Sequence, residues 1–294
     1  MNVSAFGRTP SDLVSPWQGS DAVFSSKRID GSAVVDASFS HCTFIKVSFK
    51  DCQIERSRFF DCTFVDCYFR SAQVRESGFV GSRFIDCLFP SIEITGSDFR
   101  FARFENCSLD PGEVRSSMPR EHNLREELSA RLEVAALQVG RSKDASTYKL
   151  WAIEARESHL LAAIRSENTY YRQHFPGLER FKAAVQWFGS KLNGWLWGYG
   201  EKWTVLVRNL MVATVVVFPG LFWLNIDGLR KASGDPNFAD LLLVSLNYVF
   251  QGPGFSSLTL ASTTTRILAA MATAAGLVSA GLLITMLFKA VTRR

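Results

Sequence analysis

From Phe24 onward an apolar residue returns at every fifth position: Phe24, Ile29, Val34, Phe39, Phe44, Phe49, Ile54, Phe59, Phe64, Phe69, Val74, Phe79, Phe84, Phe89, Ile94, Phe99, Phe104 and Leu109, eighteen centres without a slip. No single regular element has that beat, because a helix repeats at 3.6 residues and a strand at 2. The position two before each centre is usually small, as at Ala37, Cys42, Cys52, Ser57, Cys62, Cys67, Ala72, Ser77, Ser82, Cys87, Ser97, Ala102 and Cys107, and all six cysteines fall there. Only a repeat architecture that buries both positions accommodates this pattern.

A longer period sets the size of the coil. Val34, Ile54, Val74 and Ile94 are β-branched and twenty residues apart, whereas the registers between them are almost entirely Phe from residue 39 onward. Four five-residue units therefore make one turn. Turns stacked as strands stack, about 4.8 Å apart, carry the Phe ladder 39, 59, 79, 99 and the Cys ladder 67, 87, 107 up the inside. Eighteen centres give about four and a half turns and a rod on the order of 20 Å long.

The stretch 21–110 resembles the pentapeptide-repeat family. The resemblance implies a right-handed, quadrilateral β-helix in which the centre and the small residue two before it are both buried. The cysteines lack CxxC spacing and stand where Ala or Ser stands elsewhere, so they read as reduced packing residues rather than zinc ligands or disulfides. Some members of the family mimic duplex DNA and bind a type II topoisomerase. Such a mimic needs an acidic surface, and residues 21–110 carry 13 acidic against 11 basic side chains; that reading is set aside and no nucleic-acid partner is expected.

After Asp110 helical spacing takes over. Leu124, Leu128, Leu132, Ala135 and Val139 mark one helix up to Gly140, and a second is expected from Asp144 to His174 with Asp144 as its cap. The stretch DASTYKLWAIEARESHLLAAI resembles the connector of membrane-attached pentapeptide-repeat proteins. Its charges read as a solvated face or helix pair, with a sensor or partner surface as the sharper alternative. From Leu178 the apolar positions Leu178, Phe181, Val185, Phe188, Leu192 and Trp195 alternate threes and fours among Arg180, Lys182 and Lys191, which predicts an amphipathic helix. Trp187, Trp195, Trp197 and Trp203 crowd the same region and read as interfacial anchors. Gly198-Tyr199-Gly200-Glu201 is similar to a potassium filter in letters only: it precedes the first apolar run, where the membrane-attached pentapeptide-repeat proteins carry a GYGE-like element.

Asn209 to Ile226 and Ile267 to Phe288 are free of charge, and each is long enough to cross a hydrocarbon core about 30 Å thick. The opening MNVSAFGRTPSD has no charged region followed by an apolar run, so no signal peptide is expected. Basic residues 191, 202, 208, 289, 293 and 294 outnumber those between the runs, which places both termini in the cytoplasm of a multi-pass inner-membrane protein. Between the runs, Leu241 to Phe250 is apolar but too short to cross, and Gly252-Pro253-Gly254 and a hydroxyl-rich stretch follow. This order reads as a re-entrant pore helix and loop, and it resembles the two-span pore-loop channels of the potassium-channel superfamily. That family places TxGYGD after its pore helix. Here stand Val249, Phe250, Gln251, Gly252, Pro253, Gly254 and Phe255, so potassium selectivity is not supported, although backbone carbonyls from such a loop can ring an ion path. Ala272, Gly276 and Ala280 form a small-residue stripe for close helix packing, with Gly276 or Gly281 as a hinge by resemblance.

No phosphate-binding loop, metalloprotease motif or nucleophile elbow occurs, and His41, His122, His159 and His174 are scattered; no enzyme activity, cofactor or metal site is expected. The expected organisation is an extension at 1–20, the coil at 21–110, a helical connector at 111–177, an interfacial helix at 178–203 and a two-span membrane part at 204–294. The expected function is a homo-oligomeric pore, tetrameric by preference, whose cytoplasmic β-helix senses, gates or docks a protein partner. The competing expectation is a non-conducting membrane anchor for a β-helix scaffold.

Overall fold

The computed structural model describes residues 17–231, 235–251 and 258–292. Most of the expected extension and the glycine loop, Gly252, Pro253, Gly254 and Phe255 included, lie outside the described residues. The chain divides into two compact units, Met1–Trp187 and Phe188–Arg294.

In the first unit, three-residue strands from Gln18–Ser20 to Arg103–Glu105 stack in parallel as a β-solenoid of about 4 turns. Each residue pairs with the one twenty positions on: Phe39 with Phe59, Phe44 with Phe64 and then Phe84, Val34 with Ile54 and then Val74. Three walls are sheets of 3, 5 and 4 strands, and the fourth is a column of single bridges through Arg28, Ser48, Tyr68 and Leu88. The stack begins at Gln18–Ser20, inside the stretch read as an extension. Gly19 occupies a centre position there, where an added Cβ would lie 3.1 Å from the Phe39 ring.

The corners explain the beat. From Phe24 to Phe104 the residue two after each centre adopts a left-handed conformation, with φ of 52° at Asp36, 55° at Asp51, 49° at Asp61 and 54° at Asp86. Asp, Asn and Gly tolerate that region best, and they recur at these corners. Inside, the rings stack face to face at the strand spacing: Phe44 on Phe64 at 4.8 Å, Phe49 on Phe69 at 4.7 Å, Phe59 on Phe79 at 4.9 Å. Phe89 alone of the Phe centres is only half-buried.

The small slot does more than fill space. Ser57 Oγ donates to the Val34 carbonyl at 3.0 Å, and Ser82 Oγ to that of Phe59 at 2.8 Å. The Cys52, Cys67 and Cys107 thiols make the same bond to the carbonyls of Ile29, Phe44 and Phe84, at 3.0, 3.4 and 3.4 Å. Serine and cysteine are therefore two solutions to one need, a short donor for a buried carbonyl 23 residues back. The six thiols are free and buried.

An open coil would expose its last turn as an edge. The helix His122–Gln138 covers it, sending Leu128, Leu132 and Ala135 into the coil's own core cluster. Gln138 Oε1 accepts from the Asn106 amide at 2.8 Å, and Arg131 donates to the Ala102 carbonyl at 2.9 Å. From the next helix, Ser142–Arg165, the fully buried Tyr148 donates its hydroxyl to the Leu109 carbonyl at 3.0 Å. That helix corrects the expected Asp144–His174. Asp144 lies in its first turn, Ser166 ends it in a left-handed conformation, and a separate helix, Thr169–His174, starts with Asn168 accepting from the Tyr171 amide.

The second unit holds two helices long and apolar enough to cross a membrane, Trp203–Trp223 and Thr263–Lys289. The first starts earlier than the charge-free run and stops short of Ile226. A π-helical turn at Ala213–Val217 precedes Pro219 and absorbs the amide that proline lacks. Phe238–Phe250 is the short apolar helix, opened by a capping box in which Asn237 and Asp240 exchange side-chain and backbone bonds. It packs with Phe218 and Phe222 of the first long helix and Ala269 and Ala272 of the second. The hydroxyl-rich stretch, expected to belong to the loop, instead supplies Leu258–Leu260, an antiparallel partner for Leu229–Lys231. Thr265 Oγ1 adds a bond to the Gly228 carbonyl at 3.1 Å.

Two outcomes test the coil. Phe64→Ala should lower unfolding free energy by about 3–5 kcal/mol in urea titrations, whereas Phe60→Ala, at a 53% exposed neighbour, should change it little. Burial pushes the Cys52 thiol up from 9.0 to about 11. The fold thus holds a proton that the unfolded chain releases, so this contribution is complete below about pH 9 and lost as pH rises towards about 11. Stability should fall across that window, and less steeply in Cys52→Ser.

Candidate functional site

Of the residues singled out between the two long helices, the three that are described, Val249, Phe250 and Gln251, lie at one cleft. Val249, at the end of the short helix, is buried, Phe250 is exposed, and Gln251 caps the helix in a left-handed conformation with φ 50°. These three line a cleft of about 300 Å³ together with Leu206 and Leu210 of the first long helix and Gly276, Ala280 and Leu283 of the second. Its walls are apolar apart from Gln251 and Ser279.

Gly276 is the contact on which the cleft closes. A Cβ there would overlap the Val249 carbonyl, so the short helix seats its last turn directly on the glycine backbone. Ala272 is fully buried one turn away. Ala280 and Gly281 are exposed, and a Cβ at Gly281 would meet nothing within 4 Å. The stripe thus divides: Ala272 and Gly276 are occupied within the chain, Ala280 lines the open cleft, and Gly281 faces open space.

The tryptophans separate as well. Trp187 is half-buried with Ala183, Tyr171, Phe175 and Leu160, Trp197 is half-buried, and Trp195 and Trp203 are exposed. Between them Gly198-Tyr199-Gly200 forms a tight corner in which all three residues have positive φ, 61°, 58° and 73°. The Tyr199 ring lies on Gly194, where any side chain would collide with it. Asn209 Nδ2 donates to the carbonyls of Trp195 and Leu196, satisfying the end of the helix Gly177–Trp197 from the second turn of the first long helix.

Two features escaped sequence reasoning. Glu201, whose carboxylate is almost fully buried, pairs with Lys289, so the start of the first long helix meets the end of the second. In sequence Glu201 stood out only as the end of the GYGE-like element and Lys289 only as a flanking charge, with nothing to pair them. At the other end, Lys231 pairs with Asp240 at 2.7 Å. The Asn237 amide, then the Lys231 ammonium, hold the Asp240 carboxyl below its usual range. Among the described residues no three His, Cys, Asp or Glu side chains converge as a metal site would require.

Residues 34–113 match the family model described as pentapeptide repeat region. With the register of twenty, the amino-terminal part is a pentapeptide-repeat β-solenoid. Similar solved structures include a pentapeptide repeat protein of the Arabidopsis thaliana thylakoid lumen, at 16% identity and a TM-score of 0.32, covering 42% of this chain and 84% of that one. HetL, a pentapeptide repeat protein involved in heterocyst differentiation regulation in Nostoc sp. strain PCC 7120, is 12% identical with a TM-score of 0.18, covering 37% of this chain and 50% of HetL. Rfr23 of Cyanothece 51142 is 9% identical with a TM-score of 0.17, covering 32% of this chain and 68% of that one. No curated protein matches the chain.

Gly276→Ala should force the short helix off its seat and lower the detergent-solubilised protein's unfolding free energy by roughly 1–3 kcal/mol, the usual cost of overpacking. Gly281→Ala, in open space, should be neutral or stabilising by up to about 1 kcal/mol. Thermal unfolding of the two variants side by side checks both.

Proposed function

We propose that the chain is an integral membrane protein whose segment 204–294 assembles with copies of itself, four by preference, into a pore, with the β-solenoid on the cytoplasmic side. The observation that carries this reading is the short helix Phe238–Phe250, held between two membrane-length helices with its last turn seated on Gly276. A span, a half-length helix and a second span in one cluster supply what a re-entrant pore helix needs, protein cover for backbone at membrane depth. One chain cannot enclose a pore with two spans, so the axis is shared between copies.

The Glu201–Lys289 pair supports antiparallel spans with both outer ends at one face, and basic flanks support the cytoplasmic inner-membrane face. The solenoid, with its corner charges matched one turn apart as in Arg56–Asp36 and Lys46–Asp66, is neutral enough to serve as a gate, sensor or docking rod for a protein rather than nucleic acid. No catalytic role is assigned. A second reading, a non-conducting anchor for the solenoid, is favoured by the sequence from Val249 to Phe255, which departs from the known filter pattern.

Purified protein in planar bilayers should give unitary currents that disappear in Gly252→Val with Gly254→Val. Folded oligomers that stay silent over voltage, pH and tension would move the assignment to the anchor.

A further inference from the structure

The helix Gly177–Trp197 carries its apolar residues bare. Leu178, Phe181, Val185, Phe188, Leu192 and Trp195 are 42–69% exposed. At about 100° per residue they fall within an arc of about 100°. Arg180 and Lys191 border one edge of that arc and Lys182 the other. The opposite side is occupied: Ala183 and Trp187 pack with Leu160, Ala163, Tyr171 and Phe175. The helix is therefore fixed to protein along one side while an apolar band railed by cations faces away.

We propose that this band docks on anionic phospholipid, with the apolar residues at the acyl boundary and Arg180, Lys182 and Lys191 on headgroup phosphates. The inference rests on the membrane reading above and adds the lipid class to it. Three observations select this occupant. Cations line both borders, Arg180 and Lys191 on one and Lys182, whose ammonium holds Glu179 at 2.7 Å, on the other; side chains of this length can lay their stems on apolar surface and carry their charge to phosphate depth. Glu179 is the only acidic residue on the helix, against three basic ones. The band is also continuous with the membrane part, because the Gly198–Gly200 corner and the Asn209 bonds to Trp195 and Leu196 tie its end to the first span, beside exposed Trp203.

The test uses the full chain in vesicles of phosphatidylcholine, alone or mixed with phosphatidylglycerol. Burial of the six native thiols lets a bimane label report single introduced cysteines. At Phe181→Cys and Phe188→Cys, a lipid-borne quencher should outcompete aqueous iodide, far more strongly in the anionic vesicles, while Gln186→Cys, outside the arc, should favour iodide. Arg180→Gln, Lys182→Gln and Lys191→Gln should each lower the lipid-to-iodide quenching ratio by up to about fivefold, and salt should do the same. Equal lipid quenching in both vesicles would overturn the anionic preference. Iodide access in both would leave the band in water, and protection from both quenchers would mean that protein covers it; either overturns the docking. Val278→Cys, exposed on the last helix, reports the membrane reading separately: lipid quenching there with none at 181 and 188 sinks only this inference, and no quenching at 278 sinks both.

Discussion

Everything in the first unit depends on each turn of the coil lying on a copy of itself. A strand of three residues cannot hold a sheet together alone. Its stability comes from like residues stacked at the spacing that backbone hydrogen bonds impose. Aromatic rings suit that spacing because parallel stacking at just under 5 Å is close to their own preferred separation. The three Phe registers and the single β-branched register thus express one constraint, that each side chain lie on its own kind one turn away. The serine and cysteine slots obey it too, since each satisfies a carbonyl that the tight corner leaves facing inward.

The same constraint explains the connector. A stack of identical turns has no natural end, and its last turn presents apolar rings and unpaired backbone to water. His122–Gln138 ends the stack by replacing the next turn with a helix whose leucines enter the same core. Even Ser117 continues the slot ladder, accepting from the Ser97 amide at 2.9 Å before the helix His122–Gln138 begins. Much of the connector, whose charges read in sequence as a solvated face or helix pair, is thus a lid on the coil.

How much was legible depended on how locally each feature is encoded. The coil was readable because its period is written eighteen times, and the register of twenty follows from Val34, Ile54, Val74 and Ile94 alone. The two long apolar helices were readable from length and charge. The ends of the first were not: Trp203 and Trp223 mark them rather than Asn209 and Ile226, because a charge such as Arg208 ends an apolar run without ending a helix. The break at Ser166 was hidden for a related reason, as serine carries little intrinsic preference for a left-handed turn. In the candidate site, Gly276 was visible as one member of a small-residue stripe. That it alone receives a backbone carbonyl, while Gly281 faces open space, is a fact of three-dimensional approach. The Glu201–Lys289 pair, 88 residues apart, had no sequence signal that joined its members: one closes the GYGE-like element and the other flanks an apolar run.

The lid on the coil also restricts how such a protein can change length. Twenty residues return the chain to the same wall, so inserting or deleting twenty leaves the lid in phase with the last turn. A single five-residue unit would conserve every local rule of the repeat and yet rotate the lid by a quarter turn. Leu128, Leu132 and Tyr148 would then meet the wrong wall. The solenoid therefore behaves as an indexed shaft, free to vary in whole revolutions and locked against fractions of one.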